Sequence, residues 1–362
     1  SAAQGLTDLL TKKITQKDSL SYRYSAKKVS DFAFGYSDHY LWDATSIWLK
    51  NNKKVFIESV YLPSSENFKQ VADIAAWVVK GVSDSIMDYP FPYPKMTVFN
   101  GDDGMEYPMI VNDREEDADG TYFITAHEIA HTYFPFLTGT NQRRHGWVDE
   151  GLVTMLGVEL HNQKIDTYNF RKLYIDWYSQ IAGTQQDVPS MVNSAYISDE
   201  IFQQHEYMRS SLGFWILRDI IGENTFKQCL KVFTDRWKYK HPTPYDLFFT
   251  INDVTGENYN WLYQPWFIDF SYPDIGIEDF TIEQNIYHIR ITNYGGMPYP
   301  VKIVLQYSDH TFKEINIDAR IWKDNHTYIV RVPREKTVSE ITLNTDGYPD
   351  VNYDNNTYEI SK

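Results

Sequence analysis

The sequence predicts an α+β chain in three stretches: a strand-rich opening, a long helical middle and a C-terminal β-sandwich. Three observations carry that expectation. Extended patterns run from Ser19 to Pro63, three- and four-residue apolar steps dominate from Tyr122 to about Trp266, and period-two runs begin after Asp274-Ile275-Gly276. With 362 residues, 42% hydrophobic and 16% aromatic, the chain has material for two or three domains and a substantial core.

In the opening stretch Tyr22 and Tyr24 alternate with polar residues, and Lys54 to Tyr61 reads as a mostly buried strand closed by Pro63. Phe68, Val71, Ile74, Ala75, Val78, Val79, Val82 and Ile86 then share one helix face, with Ser64 or Ser65 expected as the cap. Lys95–Phe99 and Tyr107–Val111 are short strands flanking the turn-rich Asn100-Gly101-Asp102-Asp103-Gly104. Helices are expected over Tyr122–Leu137, Val148–Leu160, Tyr168–Ile181, His205–Ile221, Thr225–Trp237, Pro244–Val254 and Tyr259–Phe267, with Gly222 and Gly256 as natural stops. Strands at 287–291, 301–305, 313–317, 328–332 and 340–343 make the sandwich.

Composition narrows the function classes. Thirty-four Lys and Arg against 49 Asp and Glu give a formal charge of −15, which repels phosphate backbones and anionic membranes, so nucleic acid is excluded as the expected partner. The longest apolar run, Ile74–Val79, is far short of the ~20 residues of a membrane span. A single cysteine, Cys229, excludes an internal disulfide and a four-cysteine metal site. The Ser1-Ala2-Ala3 opening reads as a processed end, and an extracytoplasmic or truncated protein stays open; residue preference, assembly state and compartment are not written in the sequence.

The chemistry concentrates in His127-Glu128-Ile129-Ala130-His131. Histidines at i and i+4 stack on one helix face and reach a single ion, while Glu128, turned about 100° away, addresses a water on that ion. Such an ion, one zinc per chain, needs a third protein ligand and an open position for water. Phe134 and Leu137 stand where a metzincin has Gly and His, which excludes that class. Glu150, in Trp147-Val148-Asp149-Glu150-Gly151 nineteen positions beyond His131, completes a His2Glu set; His145 in the Arg143-Arg144-His145-Gly146 loop is the rival. Asp149 either orients a ligand or serves the helix start.

These residues resemble the aminopeptidase-N-like zinc metallopeptidases, gluzincins that include leukotriene hydrolase. That family carries His-Glu-x-x-His, eighteen residues and Glu, usually within Trp-Leu-Asn-Glu-Gly. Asp103-Gly104-Met105-Glu106-Tyr107 stands in place of its Gly-x-Met-Glu-Asn strand, and Tyr207-Met208-Arg209-Ser210 in place of its Tyr-x-Lys-Gly segment. The Trp261–Pro273 stretch and the closing Asp346-Gly347-Tyr348-Pro349-Asp350 extend the likeness from about Lys28 onward.

The resemblance implies a thermolysin-like catalytic domain over 28–276, a β-sandwich over 277–362, and an N-terminal segment, 1–27, at the end of a preceding β domain. It implies a zinc aminopeptidase acting on peptides, with Glu128 as general base, Tyr207 as oxyanion donor, and Gly104, Met105 and Glu106 binding substrate, Glu106 through the α-ammonium. Changed neighbours at Asp103, Tyr107, Arg209 and Ser210 alter the pocket's shape. The rival readings are an endopeptidase, a leukotriene-hydrolase-like enzyme, and a catalytically silent interaction module. The Trp-rich Trp261–Phe267 stretch is expected to be core.

Overall fold

The computed structural model describes residues 11–16, 19–165, 169–344 and 347–360. Ser1-Ala2-Ala3, Tyr168 and Asp346 lie outside them. The chain divides into two compact units, one of Ser1–Gly139, Glu159–Ile165 and Trp237–His241, the other of Thr140–Val158, Asp166–Arg236 and Pro242–Lys362.

In the first unit, β1 (Thr11–Gln16) and β2 (Ser19–Tyr24) pair antiparallel. A four-stranded sheet follows, formed by β3 (Leu41–Trp48), β4 (Lys54–Tyr61), β5 (Lys95–Asn100) and β6 (Ile110–Asp113) in that order. The β3–β4 pair is antiparallel, and β4–β5 and β5–β6 are parallel. A parallel step needs a crossover. Between β4 and β5 it is α1 (Val71–Gly81), which buries Val71, Ile74, Ala75, Val78 and Val79 and ends in a π-type turn over Val82–Ile86. Each of these Val and Ile side chains is worth ~1.5–3 kcal/mol of burial.

Two local expectations fail here. Neither Ser64 nor Ser65 caps the helix: the segment starts as a 3₁₀ turn at Asn67–Gln70, no side chain caps either start, and the Ser65 hydroxyl donates instead to Asn100 Oδ1 at 2.7 Å. A cross-strand acceptor competed with the local amide and won. The strand expected at Tyr107–Val111 begins only at Ile110, because Met109 takes φ +68 and Tyr107–Met109 turn, Ile110 N–H donating to the Tyr107 carbonyl at 3.3 Å.

Beyond α2 (Ala118–Ala130) come α3 (Gln142–Lys164), α4 (Phe170–Ile181), α5 (Arg209–Ile221), α6 (Glu223–Trp237) and α7 (Pro244–Thr255). Gly222 and Gly256 do end α5 and α7, at φ +87 and +71. In the second unit Trp147 stacks on Phe267 at 5.0 Å and Phe214 at 6.0 Å, and Phe248 stacks on Tyr263 at 4.1 Å, so the aromatic stretch is core.

The same unit carries two antiparallel sheets, built from β7 (Ile275–Glu283), β8 (Ile286–Asn293), β9 (Val301–Tyr307), β10 (Phe312–Ile317), β11 (Thr327–Pro333), β12 (Val338–Asn344) and β13 (Thr357–Glu359). Their orders are β11-β8-β7 and β10-β9-β12-β13. Strict alternation along β8 and β9 turns Tyr287, Ile289 and Ile291, and Ile303 and Leu305, inward, while the Tyr287 hydroxyl donates to the Lys336 carbonyl at 2.7 Å. The first and last strands, β7 and β13, were missing from the sequence pattern.

Candidate active site

The site begins on α2. Asp117 caps it, its Oδ1 accepting from Gly120 N–H at 2.8 Å, and the Thr125 hydroxyl ties it to the sheet by donating to Asp113 Oδ2 at 2.8 Å. Two residues later come His127, Glu128 and, one turn on, His131, all buried.

The helix breaks immediately afterwards. Phe134 leaves helical geometry (φ −132, ψ 112), and its carbonyl lies 2.9 Å from His131 Nδ1. A carbonyl can only accept, so Nδ1 carries the proton and Nε2 is the acceptor nitrogen. That Nε2 lies 3.3 Å from His127 Nε2. Two imidazole nitrogens converging at this distance, one held in its tautomer by a backbone carbonyl, suit a shared cation. His127, His131 and Glu150 form a set able to hold a metal ion, with one ligand atom from each inside 4.8 Å of the others. His145 belongs to no such set among the described residues. It sits half-buried at a break in α3 (φ −138, ψ 45), where burial foremost and Arg144 next hold its pKa down. This corrects the expectation of a loop there: helix runs on both sides of His145.

Glu106, Glu128 and His131 also bring ligand atoms within 4.8 Å of one another, and all three are buried. Glu106 is therefore no surface carboxylate. Its segment is held by the sheet, since Met105 exchanges both backbone hydrogen bonds with Asn112, at 2.8 and 2.7 Å, and leaves its side chain exposed. Gly104 comes closest: a Cβ built there would stand 2.4 Å from Glu128 Oε1. Sequence reasoning missed both the Gly104 approach and the Phe134 carbonyl; Phe134-Pro135 after the second histidine was the available signal for the second.

The other predicted residues lie in the second unit. Glu150 is half-buried, and its N–H donates to Oδ1 of buried Asp149 at 2.6 Å. Tyr207 is half-buried on a π-type turn, Gln203–Met208, edge-on to Phe202 at 6.0 Å. Turns of that type are rare and recur at functional sites.

Residues 106–266, which contain every one of these groups except Gly104 and Met105, match the peptidase family M1 domain. The likeness to this family of aminopeptidase-N-like gluzincins covers those residues, a little under half of the chain. Aminopeptidases M1-C and M1-D of Oryza sativa subsp. japonica are each 23% identical to it, over 248 and 198 residues, or 62% and 52% of the chain. It spans about a quarter of their length, 28% and 23%. Legionella pneumophila aminopeptidase A, solved in complex with aspartic acid, shares the fold: TM-score 0.67 at 14% identity, covering 89% of this chain and 39% of that one. Among the described residues no helix is long and apolar enough to cross a membrane.

Proposed function

We propose that the chain is a zinc-dependent aminopeptidase. The observation that carries this reading is the second carboxylate: Glu106 stands in the buried cluster with Glu128 and His131, where a hydrolase needs only one carboxylate as base. A second one suits the α-ammonium of a peptide and favours an exopeptidase over an endopeptidase.

His127, His131 and Glu150 hold the metal in this reading. Zinc bound there supplies Lewis acidity and an acidified water. Glu128 accepts the proton of the attacking water and returns it to the leaving amine. The Tyr207 phenol donates to the oxyanion of the tetrahedral intermediate, and Glu106 pairs with the substrate ammonium, fixing which peptide bond is presented. Gly104 admits the peptide backbone beside Glu128.

The test combines metal analysis with a panel of free and N-acetylated peptides. One zinc per chain, cleavage of free peptides only, and a Glu128→Gln variant that keeps zinc but loses about 10²–10⁴-fold in kcat are expected. Equal cleavage of blocked peptides moves the endopeptidase reading to first place, and a Glu128→Gln variant with an unchanged rate removes Glu128 as the base.

A further inference from the structure

Next to Tyr207 lies a buried pair with no part in that mechanism. The side chains of His205 and Glu206 are both 0% exposed, and His205 Nδ1 stands 3.1 Å from Glu206 Oε1. The other ring nitrogen, Nε2, lies 3.2 Å from the Pro189 carbonyl, which can only accept, so Nε2 carries a proton. Nδ1 and a carboxylate oxygen would then be two acceptors in contact inside the protein, and they repel unless a proton sits between them. The two side chains thus meet in a close polar contact at 3.1 Å, in which neither His205 Nδ1 nor Glu206 Oε1 makes a hydrogen bond of good geometry.

No neighbouring cation relieves it. The Arg209 guanidinium, three residues on, is committed to Asp187 at 2.9 Å and to the carbonyls of Trp266, Pro265 and Asp269. His145 feels the Glu206 charge, but burial and Arg144 oppose its protonation. Neither Glu206 oxygen has a hydrogen-bond partner of good geometry. A buried carboxyl in that condition is costly to keep, so a purely structural residue would more simply be apolar.

Its surroundings give it a task. A Cβ on Gly146 would stand 2.6 Å from Glu206 Oε2, and one on Gly151 would stand 2.5 Å from Ser210 Oγ. Glycines five apart on α3 thus receive Glu206, on the turn before α5, and Ser210, four residues on in the first turn of α5, and the Ser210 hydroxyl donates back to the Glu206 carbonyl. Glu150 lies between the two glycines, and Tyr207 directly follows Glu206. The spacing of these helices is therefore the spacing of two groups of the proposed mechanism.

Resting on the aminopeptidase reading, we propose that Glu206 is a positioning residue: held in contact with His205 and wedged against Gly146, it sets the turn that aims the Tyr207 phenol. Glu206→Ala loses the wedge and the tie. Glu206→Gln keeps both, because it has the same size and brings an amide N–H donor to His205 Nδ1.

The test is a double-mutant cycle with Tyr207→Phe, reading kcat, KM and zinc content on a free aminoacyl substrate. Glu206→Ala should lower kcat about 10- to 100-fold at unchanged KM and zinc, Glu206→Gln should stay within about threefold of the parent, and in the Tyr207→Phe background the Glu206→Ala loss should shrink to under about twofold. An equal loss in both backgrounds, a change confined to KM or zinc, or a Glu206→Gln as poor as Glu206→Ala overturns the proposal. If Glu206→Ala does not fold, Glu206→Asp, shorter by one methylene, takes its place with the same expectation in the cycle. A silent Tyr207→Phe overturns the Tyr207 role itself, and the positioning proposal with it.

Discussion

Replacing Gly104 by Ala tests the site through a single methyl group. The new Cβ would meet Glu128 Oε1 at 2.4 Å and Ile124 Cδ1 at 3.4 Å. The second distance is an ordinary contact; the first is about 1 Å too short. No left-handed backbone is required at Gly104, so alanine fits the main chain, and its reduced unfolded-state entropy offsets part of the clash by about 0.4–1 kcal/mol. The remaining strain has a cheap outlet, since a Glu carboxylate sits at the end of a flexible side chain. Stability therefore changes little, within about 1 kcal/mol of the parent. Glu128, however, must retreat by about 1 Å, and a displacement of that size in a reacting group is enough for a loss of about 10²-fold. The assay is kcat beside thermal unfolding and zinc content. A Gly104→Ala enzyme with parental kcat would refute the argument, because it would mean that Glu128 either does not move or does not act. Loss of zinc together with rate would instead trace the damage to the histidines.

Three further expectations follow from the site. Glu150→Ala should strip the metal, since two histidines and water rarely hold zinc tightly; stoichiometric zinc in that variant removes Glu150 as a ligand. Glu106→Ala should lower kcat/KM on free peptides about 10- to 150-fold, the worth of a charged hydrogen bond, and leave any slow cleavage of N-acetylated peptides unchanged; parallel losses on both substrates contradict ammonium recognition. Burial pushes the Asp113 pKa up to about 7, against smaller opposing effects from the Thr125 hydroxyl and Arg114. The folded state then binds a proton that the unfolded state has released, so stability falls as pH rises from about 4 to about 7, by at most about 4 kcal/mol, and Asp113→Asn should flatten that slope in denaturant titrations. A slope unchanged by Asp113→Asn assigns the pH dependence to other groups.

Much of the site was legible because its spacing is local. His127, Glu128 and His131 lie within five residues, and helix geometry alone puts the two imidazoles together; Glu150 follows from the same reasoning one helix later. The glycine stops at 222 and 256 were equally local, as was the alternation along β8 and β9. Where a side chain had to choose between a neighbour in sequence and one across the fold, local reasoning failed. Ser65 passed over the helix start for Asn100, thirty-five residues away, and helix resumed on both sides of His145.

The sequence by itself determined the order of strands, helices and sandwich, the histidine pair with its carboxylates, and the family pattern that joins them. Only the tertiary structure decided that Gly104 abuts Glu128, that the Phe134 carbonyl fixes the His131 tautomer, that Glu106 is buried in the same cluster, and that Glu206 is wedged against Gly146. The physical reason is range. Periodicity reports which face of an element a residue occupies, whereas a clash, a tautomer or a buried charge depends on atoms from segments tens of residues apart, brought within hydrogen-bonding distance only once the core has packed.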